Sequence, residues 1–109
     1  MISIKQDDRR PVAEITITRG GVAVDLTLAS TVIFKMTQRG QITKKVDSSA
    51  VITDAVGGVV EYRWAAGDTD TPGWYGAEWE VLWNDGKTET FPTLVNDTVL
   101  VVGDLDRGL

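Results

Sequence analysis

Residues 72–92 read P-G-W-Y-G-A-E-W-E-V-L-W-N-D-G-K-T-E-T-F-P. Tyr75, Ala77, Trp79, Val81 and Trp83 fall on one face of an extended strand, and Gly76, Glu78 and Glu80 fall on the other. Period-two alternation of this length predicts a strand with one buried face. Asn84, Asp85 and Gly86 follow at once. Gly accepts positive φ freely and Asn or Asp tolerates it, so this triplet predicts a hairpin turn. Residues 87–91 then form the return strand, and Pro92 ends it by removing a ladder donor. Three of the four Trp lie in this stretch. A core built around the hairpin is their simplest use.

Outward from this hairpin, similar signals recur. Ala13, Ile15 and Ile17 alternate with Glu14, Thr16 and Thr18, as in a half-buried strand. Val22, Val24, Leu26 and Leu28 predict a second strand. Val32, Phe34 and Met36 predict a third. Ile42, Lys44 and Val46 alternate more weakly, and the adjacent Lys44 and Lys45 suit an edge strand that must resist pairing with other chains. Residues 48–54 fit neither strand nor helix clearly. Val60, Tyr62 and Trp64 face inward, with Glu61 and Arg63 outward. Residues 98–102 form a last strand, and Ile2 and Ile4 mark a short edge strand at the start. No segment keeps helical periodicity for more than two turns. Seven to nine short strands, with turn signals between them, predict an all-β antiparallel sandwich or barrel. The 109 residues suit one domain, 1–109, with a short C-terminal tail at 103–109.

Composition narrows the chemistry. The net charge is −5, and Lys and Arg are scattered, so nucleic acid is not an expected partner. Cys and His are both absent. That removes disulfides, a thiolate nucleophile, the commonest metal ligand and the commonest general base. The first ten residues lack the basic start and apolar run of a signal peptide. No run approaches the ~20 apolar residues of a membrane helix. No enzyme, cofactor or metal is expected.

Three constellations bear on function. Asp68 and Asp70 place two carboxylates on one loop, as a calcium site would, but further ligands are missing and a turn with Asx hydrogen bonds is the commoner use. Glu78 and Glu80 share a strand face, roughly 7 Å apart. A glycosidase-like pair is conceivable, yet exposed alternating Glu is the ordinary reading. Trp64, Tyr75, Trp79 and Trp83 alternate inward and read as core. Trp74 falls on the opposite face and is a candidate contact residue if exposed.

The segment D-T-P-G-W-Y-G-A, with Tyr75 two residues before Ala77, resembles the tyrosine-corner segment of immunoglobulin domains without the cysteine. A wider ordered set runs through D-L-T (25–27), T-V-I-F-K-M (31–36), G-V-V-E-Y-R-W (58–64), G-D-T (67–69), G-W-Y-G-A-E-W-E-V (73–81) and D-G-K-T-E-T-F-P (85–92). In this order and spacing it resembles the N-terminal domain of tailed-phage baseplate upper proteins and similar phage structural proteins, over about residues 12–102. The resemblance implies an immunoglobulin-like β-sandwich that docks onto other virion proteins in multiple copies. Baseplate, tail, neck and capsid surface all remain open as its place in the particle. The candidate partner-binding residues are Ile2 and Ile4 at a strand that could extend a neighbour's sheet, Trp74, Leu100 and Val102 on a segment apolar on both faces, and Leu105 and Leu109 in the tail. The alternative is a carbohydrate-binding or host-adhesion module that uses Trp74 and the loop 67–73.

Overall fold

Ten strands form, and no helix, among the residues that the computed structural model describes, 1–92 and 97–104. In chain order they are β1 (Ile2–Lys5), β2 (Ala13–Thr16), β3 (Thr18–Arg19), β4 (Val22–Ala23), β5 (Ala29–Gln38), β6 (Lys44–Asp54), β7 (Val59–Tyr62), β8 (Gly73–Trp83), β9 (Thr88–Phe91) and β10 (Asp97–Val102). The all-β expectation holds.

The most regular alternation takes the central place. Antiparallel to β5, β8 aligns Phe34 with Trp79 and Met36 with Ala77. Its other edge carries two strands in succession, β10 against Gly73 to Ala77 and β9 against Trp79 to Leu82. Pro92 stands at the end of β9, where its missing N–H cannot serve the ladder. Gly86 takes φ +86° in the hairpin turn, and its N–H donates to the Trp83 carbonyl at 2.9 Å.

The second sheet is β6–β7–β2. Its inward side chains meet those of the first. Phe34 of β5 stacks on Tyr62 of β7 with centroids 4.8 Å apart, meets Trp64 edge-on at 5.8 Å, and tilts against Trp79 at 4.6 Å. Each such ring pair is worth about 0.5–1.5 kcal/mol beyond its area burial. Trp79, Tyr75, Phe34, Val32, Val81 and Val60 are fully buried. The hydrogen-bonded path runs β10–β8–β5 through one layer and, by way of β6, into β7–β2 of the other, which makes an all-β sandwich.

Several expectations need correction. Among the described residues there are ten strands rather than seven to nine, because a hairpin of two-residue strands, β3–β4, replaces most of the strand expected at Val22 to Leu28. Val24 and Leu26 do point inward, but Asp25 Oδ1 accepts hydrogen bonds from the N–H and hydroxyl of Thr27, and this turn breaks the ladder. Leu28 and Val22 are left exposed. The expected edge strand at Ile42 to Val46 is longer than expected, running on to Asp54, and its Lys44 to Val46 part pairs with β5 alone and so does lie at a sheet edge. It is the first part of β6, which pairs with β5 through Ala50 and with β7 from Val51 onward. Ile42 lies outside it and is fully exposed. Because β6 passes from one sheet to the other, most of its side chains face away from the core, and its pattern was hard to read. β1 pairs with β10 in parallel, unlike the other pairings among the described residues.

Candidate functional site

The first part of β8 places Trp74 outward because Tyr75 and Ala77 turn inward. Cross-strand from Trp74 is Leu100 of β10, and cross-strand from Leu100 is Ser3 of β1. Val102 lies two residues along the same outward face. Trp74 is 45% exposed and Val102 40%. The inward neighbours Val99 and Val101 are buried, so the both-faced apolar character of 99–102 divides between core and surface. Three of the candidate contact residues thus form one patch.

Arg39 frames the patch. Its N–H donates to the Trp74 carbonyl at 2.9 Å, its guanidinium lies 5.6 Å from the ring centroid, and its Nη2 donates to Thr98 Oγ1 at 3.4 Å. A cation over an exposed indole stabilises by about 0.5–1 kcal/mol and holds the ring in place. Gly76 opposes Thr98 on one side and Thr37 on the other, which leaves a shallow dip beside Trp74. Beyond it the face becomes polar, with Lys35 Nζ paired to Glu80 at 3.0 Å. That pairing gives Glu80 a structural neighbour, and Glu78 sits opposite Lys35 in register.

Ile2 and Ile4 do not join this surface. Ile4 is buried and Ile2 packs on the core. The strand they form extends the protein's own sheet, with Gln6 N–H continuing the ladder to the Val102 carbonyl at 2.7 Å. Leu105 and Leu109 lie outside the described residues.

The loop 67–73 is anchored by hydrogen bonds to the rest of the domain, with Gly67, Asp70 and Thr71 exposed. Asp68 Oδ2 accepts from the Tyr62 hydroxyl and the Ala65 N–H. Thr69 is buried and donates to the Asp8 carbonyl. Gln6 Nε2 donates to the Asp70 carbonyl, while the Asp70 carboxylate receives Lys45 Nζ at 2.5 Å. Hydrogen bonds from Lys45 and Thr71 hold the Asp70 carboxyl below its usual value, and the Asp70 bond raises Lys45. The two carboxylates therefore serve different partners. Among the described residues, no three His, Cys, Asp or Glu gather in a metal-holding group. Sequence reading missed the buried polar pair Gln6 and Thr69; only their contacts reveal their role.

A second feature was also missed. At the end of the sandwich where residues 17–28, 55–58 and 84–87 meet, Leu28, Trp83, Asp25 and Asp85 line an open cleft with Arg19 and Glu89. Backbone bonds from Leu26 to Ala55, from Asn84 to Leu28 and from Ile17 to Gly58 hold these loops together. Arg19 and Glu89 form two parallel bonds, 3.0 and 2.6 Å, and Glu89 also accepts from Trp83 Nε1 at 3.2 Å. Trp83, expected in the core, is only partly buried because it forms this wall.

Neither protein-family models, nor curated proteins, nor solved structures match this chain. Function must be argued from the surfaces themselves.

Proposed function

We propose that the protein is a structural module of a tailed-phage particle, acting by docking to other virion proteins and not by catalysis. The observation that carries this reading is the Trp74–Leu100–Val102 patch, which a polar band of Thr37, Lys35, Glu78 and Glu80 separates from the outward Ile33 and Leu82. An aromatic residue fixed by a cation and flanked by aliphatic side chains has the make-up of an interface hot spot. The ordered motif resemblance supplies the phage setting. The strand path β10–β8–β5–β6–β7–β2 is compatible with the immunoglobulin-like sandwich that the resemblance implies, and such sandwiches work mainly through surfaces and edges.

The test is particle incorporation. Trp74→Ser with Leu100→Ser removes the patch while leaving the inward faces of β8 and β10 intact. The variant should melt close to the parent and be lost from purified particles. Full incorporation of the variant would remove the patch as the docking surface. Absence of the parent protein from purified virions would remove the structural role itself.

A further inference from the structure

We propose that the cleft between residues 25–28 and 83–89 receives a guanidinium group, and that its occupant is Arg10 of a second copy of this chain, so that copies associate head to tail. The inference does not depend on the phage setting.

The cleft has the parts that such a group needs. Trp83 and Leu28 supply an aromatic and an aliphatic wall. Asp25 and Asp85 each use Oδ1 to hold their own turns, with Thr27 and with the Lys87 N–H. In each, Oδ2 has no hydrogen-bond partner among the described residues. The Arg19–Glu89 pair is internally neutralised, so the cleft keeps the charge of its two aspartates. Carboxylate oxygens beside an aromatic ring recognise a planar cation, through charge-assisted hydrogen bonds and cation–π attraction. Around the cleft, Val22 of β4 is 69% exposed, Leu28 between β4 and β5 68%, and Val56 between β6 and β7 72%. Three exposed aliphatic side chains at this end form a surface suited to contact with protein.

The complementary charge lies at the other end of the same molecule. β2 runs from Ala13, next to Val12, toward residues 17–28, and β7 runs back toward Arg63 and Trp64. Arg9, Arg10, Arg63, Val12 and Trp64 line a concavity there. Arg9 donates to the Trp64 carbonyl and Arg63 to Glu61. Arg10 forms no ion pair among the described residues and is exposed. In a chain of net charge −5, an unpaired arginine at one end and two unshared carboxylate oxygens at the other are mutual complements. The two surfaces differ, so the contact is heterologous and adds copies in a row or a ring.

Sedimentation equilibrium of the full chain tests this. At low salt the average mass should climb with concentration above the 11.9 kDa of one copy, and added salt should lower it. Arg10→Ala should abolish the climb. So should Asp25→Asn with Asp85→Asn, which keeps the turn-holding oxygens and removes the charge. An equimolar mixture of these two variants should give a dimer and nothing larger. One variant keeps only the cleft and the other keeps only Arg10. A single-copy mass at every concentration overturns the proposal, as does association that survives in both variants. Arginine amide should shift the Trp83 indole resonance of the Arg10→Ala protein; a shift produced instead by methyl glucoside overturns the cation chemistry.

Discussion

The Tyr75 hydroxyl donates to the Thr71 carbonyl at 2.6 Å, spanning the corner by which the chain enters β8. The ring is fully buried below it. One side chain therefore fixes both the sheet face and the approach of the preceding loop, as the tyrosine corner does in immunoglobulin sandwiches. Tyr75→Phe keeps the ring and leaves the Thr71 carbonyl without this donor. Urea unfolding should show a loss of about 1–3 kcal/mol. An unchanged midpoint would mean that the corner does not hold the loop.

Trp79 carries the centre of the core. Its Nε1 is buried and has no hydrogen-bond partner among the described residues, so the ring is held by packing alone. Trp79→Ala should destabilise by about 3–5 kcal/mol, through lost burial and a cavity. Trp79→Phe removes the unpartnered N–H as well as volume and should lose clearly less. Equal losses in the two variants, read from denaturant midpoints, would contradict this account.

Gly58 is a backbone crossing point. It has φ +71°, and a Cβ there would stand 2.6 Å from the Val24 carbonyl oxygen and 3.1 Å from that of Ile17. Its own carbonyl accepts the Ile17 N–H at 2.8 Å. No flexible side chain can yield, so Gly58→Ala should destabilise by about 3 kcal/mol, the upper part of the usual range. Gly86→Ala meets no neighbouring atom and has only the strain of φ +86°, so it should lose markedly less. Thermal melts of the pair decide the order.

Alkaline pH should unfold the protein through its phenols. Burial, and then the bond to Asp68, push Tyr62 from 10.0 up to about 12, and burial also raises Tyr75. A folded value above the unfolded one favours the neutral phenol in the fold. The stabilisation is therefore complete below pH 10 and is lost as pH climbs toward about 12. These are the only two Tyr, so phenolate absorbance of the folded chain should show no step at the ordinary value. In Tyr62→Phe the stability decline over that window should be shallower. A full tyrosine step near pH 10 with near-ultraviolet dichroism intact would contradict the burial argument.

The readable parts of the sequence were those governed by one local rule. Phe34, Tyr62, Trp79 and their neighbours lie on strands with one buried face, so period two located them. Trp74 was legible as the residue out of phase. β6 was not, because a strand that serves two sheets has no single inward face. The break at Leu28 turned on an aspartate side chain competing with the ladder, a contest between two local options of similar strength. Ile2 and Ile4 showed the right spacing, but spacing does not say whose sheet a strand joins. The Arg19–Glu89–Trp83 wall unites residues up to 70 positions apart, and no local pattern encodes it.

The parallel pairing of β1 with β10 has a mechanical consequence. Chain entry and chain exit lie at opposite ends of one ladder, with Ile2 beside Val99 and Lys5 beside Val102. Tension between Met1 and Asp104 would therefore run along the strands and load all of those bonds at once. A hairpin pulled from its open end breaks its bonds one by one. This ladder would instead have to slip as a unit, so the module can bear force through its ends while its core stays folded.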